Sequence, residues 1–220
     1  MLALYGHLFS SYTWKALIAL YANGTTFEFC GVGEGHPDHD AVVAAASPQG
    51  KFPVLVDGSH TVFEASSIIE YLQLHYPGPA PLLPADPAAA AQVRMLDRVF
   101  DNYVMGIMQV SVDEAIRTEG KPDPAVLAAV AERLDRSYAW IDQWLASYPV
   151  TMDITLIECA AAPGLFYADW VHPIPPEFQR LRDWRAHLLA LPAIARCVDD
   201  ARPYRHYFPL GAPDRIEEED

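Results

Sequence analysis

At 220 residues, with 51% hydrophobic and 20% charged side chains, the chain has enough apolar material for one large or two modest globular domains, which excludes a disordered polymer. A formal charge of −14, from 29 acidic and 15 basic side chains, argues against nucleic acid or an anionic membrane as partner. Cys30, Cys159 and Cys197 are widely spaced and odd in number, so neither a disulfide framework nor a zinc site is expected, and all three read as buried core residues. No charged leader opens the sequence and no run of about 18 apolar residues occurs, so a reducing cytoplasm is the expected compartment.

Leu2-Ala3-Leu4-Tyr5 reads as a short buried strand. Ser10, Ser11, Tyr12 and Thr13 then stand before Trp14, Leu17, Ile18 and Tyr21, which recur at helical spacing up to the stop at Asn23-Gly24. Hydroxyls in that position are N-cap residues, and they also stand where the first helix would favour an anion. Thr26-Phe27-Glu28-Phe29 alternates like a strand. A loop rich in Gly, Pro and Asp follows, carrying His36 and His39; two histidines there, with no third ligand placed nearby, do not make a metal site.

The densest signal is Ser47-Pro48-Gln49-Gly50-Lys51-Phe52-Pro53-Val54-Leu55. Pro53 opens a strand, a place where its missing N–H costs nothing, and X–Pro bonds are the peptide bonds that adopt cis cheaply. Val54-Leu55-Val56 ends at Asp57-Gly58, a hairpin signal, and Thr61-Val62-Phe63 returns. A helix starting near Ala65-Ser66 is predicted from Ile68, Ile69, Leu72 and Tyr76, with Glu64 at its acidic start.

Residues 77–87 hold five prolines and a glycine, a stiff linker that cannot continue the helix, and the domain boundary is placed there. Beyond it the period is helical almost throughout. Val93, Leu96, Phe100, Tyr103, Val104 and Ile107 form one apolar stripe. Asp123-Pro124 caps a further helix, whose apolar face is Val126, Val130, Leu134, Tyr138, Ile141 and Leu145. Thr155-Leu156-Ile157-Glu158 has the form of a capping box before Cys159-Ala160-Ala161-Ala162-Pro163. Leu181, Trp184, Leu188 and Leu191-Pro192 mark another helix, and Glu217-Glu218-Glu219-Asp220 reads as a solvated, disordered tail.

This order of motifs, from Leu2 to about Arg196, resembles the soluble glutathione transferases, and the segment from Leu4 to Lys15 looks most like the zeta type. The resemblance implies an α/β thioredoxin-like domain at 1–76, the linker at 77–87 and an all-α domain at 88–220, assembled as a cytoplasmic homodimer. It implies that glutathione is the co-substrate, with no metal. Phe52 becomes the backbone clamp on the cysteinyl unit, Pro53 the cis-proline and Glu64 the contact to the γ-glutamyl end. The family serine falls on Ala65, so its hydroxyl is missing; Ser66, one position on, is the alternative, and weaker glutathione binding is expected. Lys51 becomes a candidate partner for the glycine carboxylate. Ser10 matches the serine that hydrogen-bonds the thiolate, with Ser11 and Tyr12 as alternatives; Tyr12 replaces the zeta-type cysteine. Phe9, Tyr103, Met105 and Met108 are candidate walls of the electrophile pocket.

The activity implied is conjugation of glutathione to a small hydrophobic electrophile, as in detoxification. Glutathione-dependent isomerisation or dehalogenation is the second enzymatic reading. A non-catalytic binding or scaffold protein that keeps the fold is the reading from another class.

Overall fold

The computed structural model describes residues 1–213. The expected acidic tail at 217–220 lies outside them.

Strand β1 (Leu2–Gly6) is the hub of a four-stranded sheet of order β2-β1-β3-β4. It runs parallel to β2 (Glu28–Gly31) and antiparallel to β3 (Val54–Asp57), with Leu4 opposite Phe29 on one side and Leu55 on the other. β4 (His60–Phe63) completes a hairpin whose turn residues are Gly58 and Ser59, one position beyond the Asp57-Gly58 expected; Gly58 supplies the positive φ that the turn needs. Pro53 lies just outside β3, and the Phe52–Pro53 bond is cis.

Helix α1 (Ser11–Ala22) packs between this sheet and the helical half, which is why Trp14, Ala16, Leu17, Ile18, Ala19 and Leu20 are all fully buried. α3 (Ala65–His75) lies beside α1 on the same layer. Its Tyr76 and Tyr71 hydroxyls donate to Asp57 at 2.7 and 3.0 Å, tying the helix to the hairpin.

One segment departs from expectation. The Gly/Pro/Asp stretch after β2 is not all loop: Pro37–Ala46 forms helix α2, with proline in its first turn and Asp38 and Asp40 beside its N-terminus. Only Val43 of this helix is buried, so its sequence carries no apolar stripe from which to read a period. His36 and His39 are held at its start, with their rings stacked and His39 Nδ1 2.7 Å from the Gly31 carbonyl.

Residues 77–86 contain no helix or strand, and buried Leu82 anchors them by accepting a hydrogen bond from the Leu156 N–H. The helical half follows as α4 (Pro87–Phe100), α5 (Gly106–Arg117), α6 (Pro124–Leu145), α7 (Leu156–Val171), α8 (Gln179–Ala190) and α9 (Pro192–Ala201), with a 3₁₀ segment at Arg202–Tyr207.

Helix α7 is almost wholly buried and packs against α1 and α4. Its box is reciprocal: Thr155 N–H donates to Glu158 at 2.9 Å, and the Thr155 hydroxyl accepts from Ile157 N–H at 3.1 Å.

A π-helical turn at Asp101–Met105 joins α4 to α5. This wider turn shifts the register of the predicted stripe. Phe100, Val104 and Ile107 are buried as expected, whereas Tyr103 is 58% exposed and is not part of the core.

Candidate functional site

The loop between β1 and α1 is fixed from behind. Trp14 Nε1 donates to the Leu8 carbonyl at 2.7 Å, and the Tyr167 hydroxyl donates to the Phe9 carbonyl at 2.9 Å. Ser10 is the N-cap, in extended conformation, its Oγ accepting from Thr13 N–H at 3.3 Å. That bond uses a lone pair, so the hydroxyl proton is still free to be donated. Ser11 begins the helix, and the first turn carries no acidic residue, so its N–H groups and dipole favour an anion. Tyr12 keeps its proton: burial first, then the charges of Asp101, Glu64 and Asp97, push its pKa up to about 12.

Phe52 is the meeting point of the site. It is 37% exposed, and neither its backbone N–H nor its C=O has a partner among the described residues. Four cavities share it, three of them lined also by Ser10 or Glu64. The first, about 260 Å³, is lined by Ser10, Ser11 and Tyr12 on one side and by Phe9, Met108, Val112, Ile116, Tyr167 and Phe208 on the other. No charged side chain lines it among the described residues. The second, about 360 Å³, holds Tyr12, Lys51, Glu64, Ala65, Arg98 and Asp101. The third, about 500 Å³, lies between Ser10, His7, His36, Tyr204 and Tyr207. Burial lowers the pKa of His7, so the neutral imidazole is favoured there.

The charged cavity rests on a buried ionic cluster. Lys15, wholly buried in the otherwise apolar α1, donates from Nζ to Asp97 at 2.7 Å, Asp101 at 2.6 Å and Ser66 Oγ at 3.0 Å. Ser66 in turn donates to Asp97 at 2.8 Å and accepts from Arg98 Nη1 at 3.1 Å. Asp101 is torn between two effects: desolvation raises its pKa and the Lys15 charge lowers it, with a net rise. Glu64 stands at the rim with φ of 69°, a conformation that non-glycine residues occupy at a cost of about 1–3 kcal/mol and mostly at functional sites.

The structure therefore brings together most of the residues singled out from sequence. Ser10, Ser11, Tyr12 and Phe52 line one cavity; Lys51, Phe52, Pro53, Glu64 and Ala65 line the next. Ser66 does not join them. It is buried with its single proton and both lone pairs engaged, so its hydroxyl cannot replace the one missing at Ala65. Of the expected apolar walls, Phe9 and Met108 are in place, Met105 is in the core and Tyr103 lines a separate cavity on α4 and α6.

Lys15, Asp97, Arg98, Asp101, Tyr167 and Phe208 were not legible as site residues. The available signal was Lys15 itself, a lone charge in an apolar helix. All three cysteines are buried, with thiol pKa values raised by desolvation, so none is a poised nucleophile. Among the described residues no group of three or more His, Cys, Asp or Glu could hold a metal, and no helix is long and apolar enough to cross a membrane.

Comparison with known proteins agrees with this architecture. Residues 4–80 match the family model described as the glutathione S-transferase N-terminal domain. An uncharacterized GST-like protein of Escherichia coli, YibF, is 32% identical over 165 residues, covering 73% of this chain and 80% of that protein. The FtsZ-localized protein A of Caulobacter vibrioides is 30% identical over 173 residues, covering 71% and 74%. Among solved structures, a holo maleyl pyruvate isomerase, described as a bacterial zeta-class glutathione S-transferase, superposes with a TM-score of 0.73 at 25% identity, covering 97% of this chain and 100% of that one.

Proposed function

Since this chain belongs to the glutathione S-transferase family, we propose that it conjugates the thiolate of glutathione to a small, uncharged, hydrophobic electrophile. The observation that carries this reading is the cavity beside Ser10: apolar along its far wall, and without a cation among the described residues to receive an acidic substrate. The maleyl substrates named for its zeta-class relatives are carboxylic acids by their chemistry, and the described residues of this cavity offer them no counter-charge. Isomerisation of such acids is therefore the weaker enzymatic reading.

In the proposed complex the thioredoxin-like domain, 1–76, holds the tripeptide, and the chain beyond the 77–87 linker supplies the apolar wall. The N–H and C=O of Phe52, unpaired among the described residues, hold the cysteinyl unit as a strand neighbour would. Lys51 meets the glycine carboxylate and Glu64 the γ-glutamyl ammonium. Ser10 donates to the sulfur. A hydrogen bond to the thiolate but not to the thiol lowers its pKa, as does the start of α1. The thiolate then attacks the electrophilic carbon and the leaving group departs with its electron pair. Tyr12 is the weaker donor, because burial holds its proton tightly and the nearby carboxylates repel an approaching thiolate. Ser11 stands on the same cavity and is the fallback.

The test is calorimetric titration with reduced glutathione and S-hexylglutathione, followed by turnover of an apolar aryl halide and of a maleyl dicarboxylate. Tighter binding of the hexyl derivative and turnover of the halide alone are expected. Turnover of the dicarboxylate alone would install isomerisation instead. A scaffold role is favoured by one observation, the missing hydroxyl at Ala65, and the absence of heat from either ligand at more than one temperature would move the preference to it. Light scattering tests the homodimer that the family resemblance implies.

A further inference from the structure

The γ-glutamyl end of glutathione carries an α-carboxylate beside its ammonium, and on the reading above it must lie in the charged cavity. Glu64 and Asp101 face the ammonium there, but the carboxylate has lost its hydroxyl donor at Ala65, and the Ser66 hydroxyl is saturated. Among the described residues two cations line this cavity, Lys51 and Arg98. Lys51 is a mobile point charge on an exposed loop residue. Arg98 is built in. Its Nη1 donates to Ser66 Oγ at 3.1 Å and to Asp97 Oδ2 at 2.7 Å, and it lies 3.5 Å from Asp101. Asp97 is itself completely buried and locked by Lys15.

All these bonds leave from one nitrogen. The opposite edge of the guanidinium, Nε and Nη2, has no partner among the described residues, and the side chain is 56% exposed. That edge is the flat two-donor fork that matches a carboxylate.

The local charges also balance. Lys15 and Arg98 offset Asp97 and Asp101, so an added zwitterion, ammonium toward Glu64 and carboxylate toward Arg98, introduces no net charge into the cluster.

We propose that Arg98, through its Nε–Nη2 edge, holds the α-carboxylate of the γ-glutamyl group and takes over from the hydroxyl absent at Ala65. The inference rests on the glutathione reading and makes the site selective for thiols with a free α-amino-acid head. The Arg side chain comes from α4, so the helical half contributes directly to holding the tripeptide.

Calorimetry with two peptides tests this: glutathione, and γ-aminobutyryl-Cys-Gly, which lacks only the α-carboxylate. The native protein is expected to prefer glutathione by about tenfold or more, as for a charge-assisted bond. In Arg98→Gln the preference collapses while affinity for the aminobutyryl peptide is unchanged, and adding Ala65→Ser restores part of it. Arg98→Lys, which keeps the charge beside Asp97 but not the fork, falls between them and guards against a folding defect in the Gln variant. An undiminished preference in Arg98→Gln, or an equal loss for both peptides, overturns the role of Arg98 and leaves the glutathione reading standing. If the native protein binds neither glutathione nor S-hexylglutathione, the glutathione reading fails, and this inference fails with it.

Discussion

On one side of Phe52 the cleft is apolar and on the other it is charged, and adjacent residues of α1 brace the two sides. Trp14 packs against Phe166 and Tyr167 and fixes the loop that presents Ser10. Lys15, one residue on, points into the carboxylates of Asp97 and Asp101. The aromatic side gains stability from area removed from water, a non-directional term that tolerates small shifts. The ionic side gains little net energy, because removing charges from water offsets their attraction, but its short directional bonds fix where Asp97, and so Arg98, must stand. The proposed conjugation needs both: a forgiving wall for varied electrophiles and a defined head-group pocket for one peptide.

The largest expected effect comes from breaking the ionic brace. Lys15→Ala removes the buried cation between two carboxylates, leaves them only the half-exposed Arg98, and should cost about 3–5 kcal/mol in denaturant unfolding. A loss below about 1 kcal/mol would mean that water enters and the cluster is not a structural brace. Next is the apolar side. Ser10→Ala should lower turnover about 10²-fold, the scale for losing one donor to a developing anion, while the Kd for glutathione changes little. Full turnover in that variant moves the role to Ser11, which the same substitution there would reveal.

A gain of function is expected from Ala65→Ser in the native background. One restored neutral hydrogen bond should tighten glutathione about twofold to tenfold by calorimetry, because a carboxylate held by Arg98 still has lone pairs free to accept, and an unchanged Kd would mean that the restored hydroxyl does not reach it. The smallest effect is on acid stability. Hydrogen bonds from Tyr76, then Tyr71, hold the Asp57 carboxyl below the usual carboxylate range. Its folded-state pKa is depressed, so its contribution is present at neutral pH and is lost as the pH falls below about 4, through the folded value. In thermal melts Asp57→Asn should therefore show a slightly lower midpoint at pH 7 and a shallower decline between about pH 4 and 2. An unchanged decline would mean that the hairpin clamp is not an acid-sensitive contact.

Much of this molecule is legible from neighbours in sequence. The proline opening β3, the hairpin after it, the Asp123-Pro124 cap and the reciprocal bonds of Thr155 and Glu158 all act over a few residues, where covalent geometry leaves few choices. Ser10 as N-cap, and Glu64 at the start of α3, follow from the same short range. Helix α2 escaped because it buries only Val43 and so imprints no period, and Tyr103 was misplaced because a π-helical turn has no sequence signature strong enough to override the regular one. Tertiary structure alone decided the rest. Lys15 meets Asp97 across 82 residues, and Tyr167 meets the Phe9 carbonyl across 158. Such pairs are set by how the helices pack, and packing depends on the whole core at once. The residue types that could build the site were therefore readable one by one, but which of them face a common cavity, and that Ser66 is used up while Arg98 keeps a free edge, followed only from the packed structure.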